Sequence, residues 1–293
     1  MCLLKNDVAA KTGARLLPLS PALKLAFIGP HANSSLDLLG NDYNNDNKAV
    51  HGQTPLRGAR RAGLTVSYQP GCLDGINCAQ TAGFGAAVSA AAAADVAIVF
   101  LGISEQVENE GRDRTDLKLP GHQADLALAV SKAQPNTVVV LAHGGIVEID
   151  DLLSSASIPA ILSMFYPGQA AGDALMDVML GKTPPAGRIP YTWYAKGWVE
   201  ERGALAQNDL RGGKGITYRY YQGDKVLLPF GWGLSYSNWT YSWASAPSPG
   251  STAQLAASGL TVEVEVANTG SVLSDVVVLV FVSRDGSGCP IRT

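Results

Sequence analysis

Charge is scarce in this chain. Lys, Arg, Asp and Glu make up 16% of its 293 residues, and the formal net charge is -3. No block of Lys and Arg stands out, so nucleic acid and anionic membrane surfaces are poor partners. Long apolar runs are missing too. The Ala-rich stretch Ala86–Ala94 is too short to cross a bilayer and is broken by Ser89, so no membrane partner is expected. The opening residues MCLLKND lack the basic start, apolar centre and cleavage site of a signal peptide. Histidine and cysteine number four each, and none of their spacings matches a zinc site. There is no G-x-S-x-G elbow, which weighs against an α/β-hydrolase. The segment GPHANSS has neither G-x-G-x-x-G spacing nor a Walker lysine, so no nucleotide phosphate loop is present. No metal or other cofactor is expected.

What is present is a 46% hydrophobic sequence long enough for two domains, with a core that needs no metal or disulfide staple. Apolar runs predict buried strands at Leu25–Ile28, from Asp95 through DVAIVFLGIS, at Thr137–Ala142 and at Ile158–Phe165, with a second short strand at Thr65–Tyr68. Helices are predicted between them at Gln80–Ala94, His122–Ala133, near Asp150 and at Gln169–Leu180. This alternation indicates a mostly parallel α/β sheet with functional loops at the carboxyl ends of its strands. After about Tyr194 the texture changes to Gly, Tyr and Trp, as in GITYRYYQG and LLPFGWGLSYSNWTYSW. Ala244–Ser258 reads as a loose connection. Val262, Val264 and Val266 alternate with Glu263 and Glu265 as a half-buried strand, and Asp275–Ser283 reads as a second strand. These begin a β-sandwich that would need about seven strands, so a truncated chain is expected.

Cys72 and Cys78 bracket the short loop GCLDGINC. The spacing can close a small disulfide, though two free thiols are the alternative. Cys2 and Cys289 have no evident partner. The segment with most chemistry is GISEQVENEGRDRTDLKLPG, which directly follows a buried strand. Glu105, Glu108, Glu110, Asp113 and Asp116 mix there with Arg112, Arg114 and Lys118. Arg112 or Arg114 could hold Asp113 ionised, and a proton-donating carboxyl could be tuned by burial and such neighbours. A solvated loop of surface ion pairs has the same composition. His122 sits where it could satisfy a helix start, and His143, in HGG after a strand, could line a cleft, though a structural role is expected.

Taken in order, LLKND, LLPLS, KLAFIGPHAN, LLGNDY, TPLRGARRAG, the GC…C loop, ENEGRDRTDLKLPGHQ and VVVLAHGGIVEI resemble the C-terminal part of glycoside hydrolase family 3. The stretch AILSMFYPGQAAGDALMDVMLGKTPPAGRIPYTWY, then TYRYY, LPFGWGLSY and VEVANTG extend the resemblance over nearly all of residues 3–283. The likeness is to β-xylosidase and β-glucosidase members. It implies a mostly parallel six-stranded α/β sandwich followed by a partial fibronectin type III-like β-sandwich. The implied division is a linker from a missing barrel domain at 1–24, the sandwich at 25–200, an aromatic connection at 201–243 and the truncated β-domain at 244–293. It implies a retaining, exo-acting hydrolase of terminal β-linked sugars, with an aspartate nucleophile on a barrel not encoded here. Glu110, in Glu110-Gly111-Arg112-Asp113-Arg114, would be the acid/base. Glu108 is the competing carboxylate, and Asp113 and Arg114 would fix the loop and set its field. Alone the chain should be inactive. A non-catalytic carbohydrate-binding or scaffold fragment is the alternative, with Tyr218, Tyr220, Tyr221, Trp232, Trp239 and Trp243 as stacking platforms or, instead, as junction residues between domains. The loop GNDYNNDN departs from the family's usual Gly-Asn-Tyr-Glu-Gly type, which leaves Asn41, Asp42 and Tyr43 without an assigned role. Partners would be a β-linked oligosaccharide or glycoside and the barrel. An extracellular or cell-wall setting follows from the resemblance, with Asn33 and Asn238 as candidate glycosylation sites.

Overall fold

The computed structural model describes residues 1–9, 13–40, 53–203, 205, 209–246, 259 and 261–281. Six strands build the principal sheet: β1 (Cys2–Asn6), β2 (Lys24–Ile28), β3 (Thr65–Gln69), β4 (Val96–Gly102), β5 (Thr137–Ala142) and β6 (Ala160–Ser163). Their spatial order is β1-β6-β5-β4-β2-β3. All neighbours pair in parallel except β1, which runs antiparallel to β6 at one edge. The continuous apolar runs have the expected cause: every residue of β4, β5 and β6 is buried, because both faces of the sheet are covered.

Alternation along each strand sorts the side chains into two cores. Ile28, Val99, Leu101, Val139 and Leu141 face α2 (Phe84–Ala92), α3 (Gln123–Ala133) and α4 (Asp150–Ser154). Phe27, Ile98, Phe100, Val140 and Leu162 face α1 (Pro55–Arg61) and α5 (Ala171–Met179). Each such side chain contributes about 1.5–3 kcal/mol by leaving water. α1 begins at Thr54, whose hydroxyl accepts from the Arg57 N–H at 3.1 Å, with Pro55 in the first turn. It crosses α5 so closely that a Cβ on Gly58 would lie 2.3 Å from the Gly172 backbone.

Several boundaries differ from the sequence reading. Residues 1–24 are not simply a linker, since β1 is an edge strand of the sheet, with Cys2 opposite Ser163. The connection after Tyr194 is packed onto the α/β body through β7 (Trp193–Tyr194), α6 (Trp198–Arg202), α7 (Thr217–Tyr220) and β8 (Val226–Leu228). β9 (Trp239–Ser245) straddles the expected boundary at 244 and pairs antiparallel with β10 (Glu263–Asn268). β10 is not half-buried: among the described residues no second sheet covers it, and Val264, Tyr241 and Trp243 are exposed. The described part of the strand expected at Asp275–Ser283 makes no ladder, and Val277–Phe281 stay largely exposed.

Candidate active site

The strand order reverses between β4 and β2, since the chain moves from β2 to β3 on one side and to β4 on the other. A parallel sheet opens a crevice at such a point, outside the carboxyl ends of its strands. The acidic loop leaves β4 there. Its root is gripped from the far end of the same loop. The buried Gln123 side chain accepts from the Gly102 N–H at 2.7 Å and donates to the carbonyls of Gly102 at 2.9 Å and Ile76 at 2.7 Å. Gly102 itself has φ +149°, and a Cβ there would sit 1.8 Å from the Ala142 oxygen. Ile76 lies in the loop closed by the disulfide between Cys72 and Cys78.

Past the root, the Ser104 carbonyl accepts from the N–H groups of Val107 and Glu108. The chain then reverses in a tight turn. Asn109 and Arg112 exchange backbone hydrogen bonds, with Glu110 and Gly111 between them. Gly111 has φ +81° while Glu110 lies on the ordinary negative side, the pattern of a type II turn. Glu110 therefore stands at the tip. It is exposed and makes no hydrogen bond or ion pair with the described residues. Beside the tip lies a shallow depression of about 520 Å3, lined by Val107, Arg112, Asp113, Arg114 and residues 115–121 other than Leu117.

Glu108 is placed quite differently. It is partly buried, and both its oxygens are engaged. Oε2 accepts from Arg114 Nε at 2.8 Å, and Oε1 accepts from the Gly145 N–H at 3.0 Å. Arg114 also donates from Nη1 to the Ile146 carbonyl at 2.9 Å. The expected pairing of Asp113 with Arg112 or Arg114 does not form. Arg114 is taken by Glu108, Arg112 donates to the Gln106 carbonyl at 2.8 Å, and Asp113 is exposed on the wall of the depression.

His143 follows β5 and is fully buried. Its Nδ1 faces the Gly145 carbonyl at 2.8 Å and its Nε2 faces the Ser163 hydroxyl at 2.8 Å, so Nδ1–H donates and Nε2 accepts. Burial pulls the imidazole down to about 4, and the ring is neutral at pH 7. Its role is structural: it ties the ends of β5 and β6. His122 does not cap α3 with its ring, which instead meets Asp125 at 2.8 Å. Three features escaped the sequence reading. Gln123 is one, and its only signal was its place in LPGHQ. The Tyr166 hydroxyl is another, buried with no partner among the described residues. The third is His31, buried with both nitrogens unpartnered and 4.0 Å from the Asp37 carboxylate. Asn41, Asp42 and Tyr43 lie outside the described residues. Asn33 and Asn238 are exposed, and the Asn33 amide oxygen accepts from the Thr54 hydroxyl at 3.1 Å.

The aromatic residues after Tyr194 mostly pack on the protein itself. Tyr194 stacks on Trp198 at 3.9 Å, with Tyr221 edge-on. Tyr218 stacks on Phe230 at 4.2 Å, and Trp232 Nε1–H donates to the β1 carbonyl of Leu4 at 3.0 Å.

Comparison with known proteins decides the kinship. The pattern described as Glycosyl hydrolase family 3 C-terminal domain matches residues 1–236. This chain belongs to glycosyl hydrolase family 3. Among curated family 3 relatives, Probable exo-1,4-beta-xylosidase bxlB of Aspergillus terreus is 40% identical over 99% of this chain and 37% of its own length. Beta-D-xylosidase 1 of Arabidopsis thaliana is 38% identical over 82% of the chain and 31% of its own length. The chain thus spans about a third of the length of these relatives. In structure it is similar to the GH3 exo-beta-xylosidase XlnD solved with a xylobiose aziridine probe, with a TM-score of 0.73 and 35% identity over 82% of this chain and 30% of that one. It is also similar to the GH3 beta-glucosidase of Bifidobacterium adolescentis, with a TM-score of 0.71 and 29% identity over 92% of this chain and 38% of that one. Family 3 membership accounts for the six-stranded sheet. Among the described residues no helix is long and apolar enough to cross a membrane.

Proposed function

We propose that this chain supplies Glu110 as the acid/base of a retaining, exo-acting β-glycosidase acting on terminal β-linked xylose or glucose. The observation that carries the reading is the contrast between two neighbouring carboxylates. Glu108 has both oxygens committed within the domain, whereas Glu110 is free at the tip of a braced turn at the functional edge of the sheet. A retaining enzyme needs one carboxylate to attack the anomeric carbon and another to protonate the departing oxygen. Glu110 donates that proton, and the aspartate nucleophile on a barrel domain forms the glycosyl ester. Glu110 then takes a proton from water as the water oxygen bonds to the anomeric carbon and the ester bond breaks. The names of the relatives favour a β-xyloside or β-glucoside as substrate, and the buried loop disulfide fits an extracellular or cell-wall setting.

By itself the chain should hydrolyse an aryl β-xyloside at the buffer rate, because the nucleophile is absent. Supplied in trans with the barrel domain of a family 3 xylosidase, it should turn over xylobiose. Glu110→Gln should then lower kcat/KM by about 10^3. The loss should be smaller for an aryl xyloside whose leaving group needs no proton. Full xylobiose turnover by Glu110→Gln would overturn the reading, as would turnover by the isolated chain that depends on Glu110.

A further inference from the structure

Glu110 sits on a turn that has no core of its own, yet general acid catalysis requires a carboxyl placed to within a fraction of an ångström. We infer that Glu108 is a positioning residue. Together with Arg114 and the Gly144-Gly145 turn after β5, it forms a clamp that holds the Glu110 turn to the head of the sheet. This rests on the reading of Glu110 given above and goes beyond it, since it removes Glu108 from the candidate acids and gives it a separate task.

Three observations meet here. First, Glu108 bridges two segments, accepting from Arg114 Nε at 2.8 Å within its own loop and from the Gly145 N–H at 3.0 Å across it. Second, Arg114 closes the circuit by donating to the Ile146 carbonyl at 2.9 Å, so the return limb of the loop is tied to the same turn. Third, the two glycines leave the clamp its room, and a side chain on either would press on a charged head group. A Cβ on Gly144 would lie 2.8 Å from Glu108 Oε1, and a Cβ on Gly145 would lie 2.6 Å from Arg114 Nη2. The pair is mostly shielded, with side-chain exposures of 11% for Arg114 and 23% for Glu108. Water therefore screens it less than a surface ion pair, and charge-assisted hydrogen bonds of this kind are the stronger sort. Glu110 lies two residues beyond Glu108 and four before Arg114. The clamp thus fixes both limbs of the turn while leaving its tip free.

Substitutions break the clamp in defined ways. Glu108→Gln keeps the shape, but in either orientation its amide nitrogen, itself a donor, must face Arg114 Nε or the Gly145 N–H, which are both donors. Arg114→Lys keeps the charge but cannot reach Glu108 and the Ile146 carbonyl with one planar group.

The first test uses the full chain alone, by amide hydrogen exchange. Peptides spanning residues 104–116 should exchange at least tenfold faster in Glu108→Gln and in Arg114→Lys, while peptides of β5 keep their wild-type protection. Unchanged loop exchange in both variants would overturn the clamp whatever Glu110 does. The second test adds the barrel domain in trans and uses an activated aryl β-xyloside. Glu108→Gln should lower kcat by roughly 10–100-fold with little change in KM, and should leave the basic limb of the pH profile in place. Azide needs no general base to attack the glycosyl ester. It should therefore restore turnover to Glu110→Ala, yielding the glycosyl azide, and should not restore Glu108→Ala. Azide rescue of Glu108→Ala alone would make Glu108 the acid/base, and both the clamp and the Glu110 reading would fall. Rescue of neither variant, with the loop loosened as expected, would leave the clamp standing and remove the acid/base role from Glu110.

Discussion

At the scale of single residues, the consequential side chains are those whose partners lie far away in sequence. Apart from the family resemblance of Glu110-Gly111-Arg112-Asp113-Arg114, nothing local distinguishes Glu108 from Glu110. Both are acidic, two positions apart, in a loop whose composition also suits plain surface ion pairs. What separates them is Gly145, 37 residues further on, and that relation exists only once β4 and β5 lie side by side. The two buried histidines follow the same rule. Nothing around His31 or His143 in the sequence announces its burial, yet burial holds each ring at about 4 against an ordinary value of 6.5. A depressed folded-state value means that the unfolded chain binds more protons between those limits. Their contribution to stability is therefore whole above pH 6.5 and is lost as the pH falls toward 4. Each ring can account for up to about 3 kcal/mol over that window. The urea midpoint should fall between pH 7 and pH 4.5, and it should fall less in the His31→Gln, His143→Gln double variant. An identical pH slope in that variant would contradict the assignment.

Elements were the most legible level. β4, β5 and β6 are continuous apolar runs, and a run of that kind has few alternatives to a strand covered on both faces. α2, α3 and α5 sit within a few residues of where the pattern placed them. β1 was not legible, because its case rests on pairing with β6 across more than 150 residues rather than on its own pattern. α1 is short and carries Gly58 in its interior for close approach to α5, which weakens its local signal. The junction of β4 with the acidic loop shows how an element end is made. Gln123 reaches back from α3 to satisfy both backbone groups of Gly102 and the carbonyl of Ile76. Truncation in Gln123→Ala strands these buried groups, each costing about 1–3 kcal/mol, and should lower unfolding stability by about 3 kcal/mol or more. A loss below about 1 kcal/mol in urea unfolding would show that water replaces the amide without difficulty.

For the molecule as a whole, the sheet does for the loop what the loop cannot do for itself. Its topological reversal places the β4 loop over a crevice, its two cores hold the strand ends rigid, and the turn after β5 supplies the N–H that anchors Glu108. The aromatic segment after Tyr194 is largely consumed in binding the connection to the α/β body, which favours its reading as a junction over one as an array of sugar platforms. The β9–β10 ribbon, by contrast, presents Tyr241, Trp243 and Val264 without a covering sheet among the described residues.

The central claim is that Glu110 reaches across to a nucleophile carried by another domain. It is tested most directly by solving the chain bound to a family 3 barrel and measuring the distance between the Glu110 carboxyl and the barrel's nucleophilic carboxylate. A separation of about 5–5.5 Å, with Glu108 still turned inward onto Arg114, is the expected result. A Glu110 side chain facing bulk solvent more than about 10 Å away, or Glu108 released from Arg114 and standing in its place, would contradict the account.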